Sequence, residues 1–578
     1  MKAKRYVIEA LKSEGIKHVF MVPGGELDPI VFDMVEEGSI QPICSAIEGG
    51  AAFMADGYSR SSNKFGVCAA IGGPGILNMA TAIATAAADH SPMLVISGDV
   101  PLDEEGKGFI QDSSSLGINT SAVMAPLMSG QVEAHSANQV PFGLKNLMNK
   151  MLTPSTRGPV HLSMTLDVQD AEVSEDATYK PVSESTLHPK YLNEEAFEEA
   201  FSALVANGRK VVIYAGSEVR KSSSWELLTQ FAEKYSIPVA TTISAKGVIS
   251  EEHELSLGII GWVIHPYANK IVMEDDIDVM LCLGVQLNSA ETMAGSKEFK
   301  AKTTIVSYPN FHNVFQNIDY EYEVLGDSYS FLKHALAVND ERSAKLLAGK
   351  QFREEWLATA KAACNNVNAY DIENTASTDK PIHPARLVKA LRKVLPQDTV
   401  MAIDSGAHMM FAFHYWTVTD PTQVITALDY MGSMGWAWGA VIGSKVALPN
   451  RPHVLFTGDA CTLMHGMEIK TAVEYNLPVV FVISNNRAYG NPKLRAMKFS
   501  QKVNDFMNIP AFDFAALGRS LGAEGFTVTD PTELEATIEK AYKLNKPVVI
   551  DVIVDNVPTP TKVYDKYFAT SFFHGGKL

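Results

Sequence analysis

The chain has 578 residues, 46% hydrophobic and 20% charged, an ordinary globular balance that calls for several domains of roughly 150 to 200 residues, three as the first expectation. No stretch supplies the roughly 18 uninterrupted apolar residues of a membrane helix, and a net charge of −17 with scattered basic residues offers a phosphate backbone no footprint, so neither membrane nor nucleic acid is an expected partner. The five cysteines are odd in number, far apart and without a CxxC, which argues against a disulfide framework or a zinc site. With an amino terminus, MKAKRYVIEALKSEG, that lacks an apolar signal core and reads as an amphipathic helix of the fold, the expected location is the reducing cytoplasm.

Alternating strand and helix signals fall into three segments, each expected to be an α/β domain with a doubly wound parallel sheet. In the first, HVFMV before PGG and GVCAAIGG before PGILN read as strands, and GPVHLSMTLDV closes the segment. A polar stretch from Ala171 to Lys190 leads to the middle segment, with KVVIYAG, IPVATT, VMLCLG and TTIVSY. A second polar stretch, from the charged helical sequence after Val338 to STDKPIHP, leads to the third. There the strands are TVMAID, HVLFTG, VVFVIS and PVVIDVIV, the last nearly all β-branched, as a strand covered on both faces should be. The expected domains are 1–170, 190–340 and 378–560, followed by a tail, 561–578, that is a candidate to fold over a site.

The stretch TGDACTLMHGMEIKTAVEYNLPVVFVISNNRAYG, Thr457 to Gly490, carries the chemistry. A crossover helix fits between its two strands, which places Asp459 and Asn485/Asn486 together at the carboxyl ends of neighbouring parallel strands, the rim where open α/β sheets bind ligands. Asp459 offers one hard oxygen, the side-chain carbonyl of Asn486 a second, and a backbone carbonyl just beyond, at Ala488, a third, which leaves octahedral positions of a magnesium ion for a phosphorylated ligand and water. The amides of Ala460 and Cys461, at a helix start, suit a diphosphate. On these residues alone Asp459 reads equally well as a helix cap and the asparagines as a turn.

The spacing from Gly458, Asp459 and Ala460 to Asn486, with NLPVVFVISNN closing the segment, resembles the GDG…NN signature of thiamine-diphosphate-dependent enzymes. The layout is similar to the group that includes acetohydroxyacid synthase, pyruvate decarboxylase, pyruvate oxidase and benzaldehyde lyase, and the similarity runs through VPGG (Val22 to Gly25), IEGGAAFMADGYSR, GGPGILN, RGPVHLSMTLDV, YAG…IPVATT…KG and YMGSMGWAWGAVIGSK. Ala460 stands where the motif has its third glycine. The resemblance implies a pyrimidine-binding first domain, a diphosphate-binding last domain, and a cofactor held between domains of two subunits, hence a homodimer or homotetramer. It makes Glu48 the acid that hydrogen-bonds N1′ of the cofactor, Met434 the wedge that bends it and the carbonyl of Gly432 the acceptor for its 4′-amino group. It adds Val22, Pro23, Gly24, Asn78, His408, Gly458, Ala460, Cys461, Tyr489 and Gly490 as cofactor-binding positions. A methionine in a helix start and an exposed glutamate are the bland alternatives for Met434 and Glu48.

Such enzymes cleave a bond next to a carbonyl, with the cofactor as electron sink, and then release an aldehyde or join a second carbonyl compound. The paired histidines of pyruvate decarboxylase are missing from FIQDSSSLGINT, whereas Gln111 matches a glutamine near the active site of acetohydroxyacid synthases. Glu26 stands about where benzaldehyde lyase has a histidine and reads either as a second acid/base or as an exposed first-turn acid. In the middle domain Gln286 replaces an arginine of the flavin-binding synthases and IVSYPN replaces their Ile-Asp-Ile-Asp, which speaks against FAD and leaves an adenine nucleotide or coenzyme A site open. The expected reaction is lyase or carboligase chemistry on small 2-oxo acids or 2-hydroxy ketones, of the acetolactate synthase type. The rivals are a 2-hydroxyacyl- or oxalyl-coenzyme A lyase, a pyruvate-oxidase-type enzyme and a catalytically silent relative.

Overall fold

The computed structural model describes the chain except residues 63, 183–189, 429, 497–498, 559 and 561–578, so the expected tail lies outside the described residues. Among the described residues eighteen strands form three six-stranded sheets in which every strand pair is parallel.

The first sheet holds β1 (His18–Met21), β2 (Gln41–Cys44), β3 (Gly66–Ile71), β4 (Met93–Asp99), β5 (Gly130–Ala134) and β6 (Pro159–Thr165), in the order β2-β1-β3-β4-β6-β5. The second holds β7 (Val211–Ala215), β8 (Val239–Thr241), β9 (Ser256–Ile259), β10 (Ile277–Leu283), β11 (Ala301–Tyr308) and β12 (Tyr322–Leu325), in the order β12-β11-β10-β7-β8-β9. The third holds β13 (Val400–Ile403), β14 (Val424–Ile425), β15 (His453–Gly458), β16 (Val479–Asn485), β17 (Glu524–Val528) and β18 (Val548–Ile553), in the order β14-β13-β15-β16-β18-β17. The first and third sheets therefore share one topology. The middle one, counted from β9, runs in the doubly wound order of dinucleotide-binding sheets.

Burial explains which runs became strands. Every residue of β4, β6, β15 and β16 is buried, as helices on both faces demand. The edge strands β2, β5, β12 and β17 are largely part-exposed and their sequences show no continuous apolar run. Two sequence expectations differ from the structure in detail. Part of the charged helical stretch read as the second linker, the helix Lys350–Ala363, packs on the middle core: it buries Trp356, Leu357 and Ala360 there together with Arg353, which donates to the carbonyl of Tyr235, while Glu354 and Glu355 face outward. The crossover expected as one helix is two, Asp459–His465 and Ile469–Glu474, joined by a turn at Gly466–Glu468. The break lets the buried Glu468 accept the amide of Ala46, 3.1 Å away in the first domain, and the hydroxyl of Thr471 at 2.8 Å.

The first and third domains are joined through two helices, Glu48–Ser61 and Trp436–Ala447. Glycines set their closeness: a Cβ on Gly443 would lie 1.9 Å from the carbonyl oxygen of Met54, and one on Gly57 would lie 2.2 Å from that of Ala440. A Cβ at either position would force the helices apart.

Candidate active site

At the carboxyl rim of the third sheet lies a cleft of about 130 Å³ whose walls include His408, Met434, Gly458, Asp459, Cys461 and Asn486. Ala460, Ala488, Tyr489 and Gly490 line it as well. Asp459 follows β15 directly, is 2% exposed, and accepts the amides of Ala460 at 2.8 Å and Ala488 at 3.1 Å. The Ala460 amide, expected to face a diphosphate, is thus taken by the neighbouring carboxylate. Burial pushes the Asp459 carboxyl up to about 6, and the two amides hold it down only in part.

Asn486 follows β16. Its side-chain amide donates to Asn556 Oδ1 at 2.7 Å, and Asn556 donates back to the Asn486 carbonyl at 2.9 Å, an exchange that fixes the side chain and leaves its own carbonyl oxygen for a cation. Arg487 then takes a left-handed conformation, φ 54°, in the turn that brings Ala488 beside Asp459. His408 is buried with Nε2 unpartnered among the described residues, and burial lowers its pKa to about 4, so it faces the cleft side as a neutral imidazole. A buried carboxylate short of counter-charge, a free asparagine carbonyl and an unpartnered imidazole nitrogen fit a divalent cation with diphosphate oxygens.

Met434 is half-buried and lines this cleft, so the core-methionine alternative does not describe it. The turn before it uses left-handed glycines, Gly432 at φ 61° and Gly435 at φ 84°. Asp404, which no sequence feature singled out, accepts the amide of Gly435 at 3.0 Å and the hydroxyl of Thr457 at 2.9 Å, tying that turn to β13 and β15. Gly432 is half-buried just outside the cleft lining.

The remaining sequence-derived positions sit on the rim of the first sheet and do not line this cleft. Glu48 begins its helix, half-buried, and accepts the side-chain amide of Asn78 at 3.0 Å. Val22, Pro23 and Gly24 form the loop after β1, and a Cβ on Gly24 would meet the Ile71 side chain at 2.5 Å. Glu26 is 6% exposed, which overturns its reading as an exposed first-turn acid. Its carboxylate accepts the amide of Gly72 at 2.9 Å, and burial, aided by Asp99 and Asp112, raises its pKa to about 7. Gln111 adopts φ 66° with its backbone against Gly73. A single chain therefore carries two separate constellations.

Three family models match in chain order: the N-terminal TPP binding domain of thiamine pyrophosphate enzymes over residues 1–118, their central domain over 199–335, and their C-terminal TPP binding domain over 404–552. The chain belongs to the thiamine pyrophosphate enzyme family. Among its relatives are a probable acetolactate synthase large subunit of Methanocaldococcus jannaschii, 29% identical over 96% of this chain and 92% of that one. The acetolactate synthase large subunit of Haemophilus influenzae and the isozyme 3 large subunit of Escherichia coli are each 27% identical, over 95% of this chain and 94% of theirs. The enzyme thus resembles acetolactate synthase large subunits along nearly its whole length. Among the described residues no helix is long and apolar enough to cross a membrane.

Proposed function

We propose that this enzyme is an acetolactate-synthase-type carboligase that uses thiamine diphosphate and magnesium to cleave and join bonds next to the carbonyls of small 2-oxo acids or 2-hydroxy ketones. The observation that carries the reading is the buried Asp459 beside Asn486 in a small cleft, in a chain that follows the acetolactate synthase large subunits from end to end. Asp459, the side-chain carbonyl of Asn486 and the backbone carbonyl of Ala488 would hold the metal, and His408 would meet diphosphate oxygen. When bound, the cofactor supplies an electron sink for the bond that breaks.

The protein's own residues then divide the work. Met434, positioned through Asp404 and Gly435, would hold the cofactor bent, and Glu48, oriented by Asn78, would share a proton with N1′. Glu26, protonated near neutrality by burial, would serve as a proton donor on the substrate side with Gln111 nearby.

The cleft at Asp459, about 130 Å³, is well below the roughly 300 Å³ at which ligand pockets begin, so it suits the diphosphate end alone. The pyrimidine end needs the Glu48 rim of another chain, which supports a homodimer or homotetramer. Exposed apolar side chains beside both half-sites support the same reading: Ile47, Ile110 and Leu116 on one rim, Tyr430, Leu463 and Met464 on the other.

Flavin fits poorly. At the switch point of the middle sheet Glu218, 7% exposed and paired with Lys221 at 3.0 Å, occupies the first turn after β7, where a dinucleotide diphosphate would meet its charge. We propose domain boundaries at 1–170, 190–340 and 378–560, with the helix Lys350–Ala363 of the second linker packed on the middle domain, and place the protein in the cytoplasm.

The test is incubation with thiamine diphosphate, magnesium and pyruvate, followed by proton NMR. A ligated 2-hydroxy-3-oxo acid is expected; free acetaldehyde as the sole product, or no consumption of any 2-oxo acid, would overturn the carboligase reading.

A further inference from the structure

The loop that delivers Glu48 is held from outside its own domain. It runs from the end of β2 at Cys44 through Ser45, Ala46 and Ile47 to the first residue of the helix Glu48–Ser61. Ile47, the N-cap, offers that helix no side-chain acceptor, so the helix start is not fixed by its own sequence. The third domain supplies the missing hold. Glu468, fully buried, accepts the Ala46 amide on both carboxylate oxygens, at 3.2 and 3.1 Å. The Tyr475 hydroxyl accepts the Cys44 amide at 2.8 Å, and Lys470 Nζ donates to the Cys44 carbonyl at 3.2 Å. On the first-domain side Ser45 anchors the loop, its amide donating to the Met21 carbonyl at 2.9 Å and its hydroxyl to the Ile47 carbonyl at 2.8 Å.

Glu468 is itself held in place. The Thr471 hydroxyl donates to it at 2.8 Å, and a Cβ on Gly50 would lie 1.9 Å from its Oε1, so the carboxylate lies directly against the first turn of the Glu48 helix. A buried carboxylate is costly unless it is hydrogen-bonded, and the backbone donor of this one sits two residues before Glu48. At the far end of that short stretch the Glu48 carboxylate accepts the Asn78 side-chain amide at 3.0 Å. Its place therefore depends on the helix start as well as on Asn78. Glu468 does not line the cleft at Asp459, so its influence on Glu48 is separate from the hold on the diphosphate end.

We propose that Glu468 is a positioning residue that acts through the Ala46 backbone to aim the Glu48 carboxyl, an inference that rests on the proposed role of Glu48 at N1′. A misplacement of about 1 Å at such a group can cost about a hundredfold in rate. Removing the carboxylate leaves the Ala46 amide without its acceptor and frees the loop. Glu468→Gln keeps one oxygen for that amide and turns an N–H toward the Thr471 hydroxyl, which can accept it. The role is one of geometry, so the carboxamide should replace the carboxylate.

The test compares the full-length parent with Glu468→Ala, Glu468→Gln, Tyr475→Phe and Glu48→Gln. Without cofactor, backbone amide hydrogen exchange across Cys44–Glu48 should speed up about tenfold or more in E468A and stay near the parent in E468Q. With thiamine diphosphate and magnesium, proton–deuterium exchange at C2 of the bound cofactor should slow about tenfold or more in E468A and about threefold in Y475F, with E468Q within about threefold of the parent. Calorimetric affinity for thiamine diphosphate should stay within about threefold throughout. If E468A does not fold, Y475F, which loses a single hydroxyl, carries the same expectation of slower C2 exchange at unchanged affinity. Parental C2 exchange in the folded Glu468 and Tyr475 variants while E48Q is slow overturns the inference. So does an affinity that falls in step with the exchange rate, which marks a merely structural role, or an E468Q as slow as E468A. Parental exchange in E48Q overturns the reading of Glu48 itself, and this inference with it.

Discussion

The carboxylate of Asp404 accepts the backbone N–H of Gly435 at 3.0 Å, across the gap between β13 and the turn that carries Met434. The same side chain takes the Ser405 amide at 2.9 Å and the Thr457 hydroxyl at 2.9 Å, so one buried acid fixes three pieces of the cleft wall. Asp404→Ala leaves those donors buried and unpaired. It should lower unfolding stability in urea by about 2 to 4 kcal/mol, with Asp404→Asn intermediate because it keeps the shape and one acceptor oxygen. Equal stability of parent and D404A would remove Asp404 from the account.

Glu26 should give the protein a pH dependence of known sign. Its pKa is near 4.5 when unfolded and about 7 when folded, so between those values the native state holds a proton that the unfolded chain has released. Its contribution is fully present below about 4.5 and lost as pH rises through 7. Urea unfolding of the parent against Glu26→Gln, from pH 4.5 to 8, should show the parent losing up to about 3 kcal/mol relative to the variant. Parallel curves would mean that Glu26 does not titrate there.

Asp459 is the one carboxylate among the proposed metal ligands, so its loss should be felt as loss of cofactor. Asp459→Ala should weaken magnesium-dependent retention of thiamine diphosphate by at least about a hundredfold, and chelating the metal from the parent should release cofactor comparably. Calorimetry reads both; undiminished affinity in D459A contradicts the assignment.

What could be read from the sequence followed what was buried. The strands expected from apolar runs, such as VVFVIS and PVVIDVIV, lie inside sheets, where both faces are covered. The short edge strands β2, β5, β12 and β17 went unread because a half-covered strand needs no continuous apolar run. β4, β9 and β14 are exceptions, fully buried and unread: the apolar run of β4, MLVISGD, was open to the same reading, whereas the four residues of β9 and the two of β14 are too short to stand out. Asp459, Asn486 and Met434 were legible as a spaced motif. Asp404 and Asn556 were not, since their partners Gly435 and Asn486 lie far along the chain and meet them only through the fold.

The central claim is that the functional centre takes Glu48 from one chain and Asp459 from another, as the separation of the two constellations in a single chain implies. Mixing inactive variants tests it directly. Glu48→Gln and Asp459→Ala, each purified alone, should be inactive; co-expressed in equal amounts under two tags, they should form mixed dimers in which one centre combines intact Glu48 with intact Asp459. Random pairing then predicts about a quarter of parental carboligase activity, all of it in the doubly tagged fraction. No recovery in doubly tagged dimers that are otherwise folded would place both residues in a centre built within one chain and contradict the account.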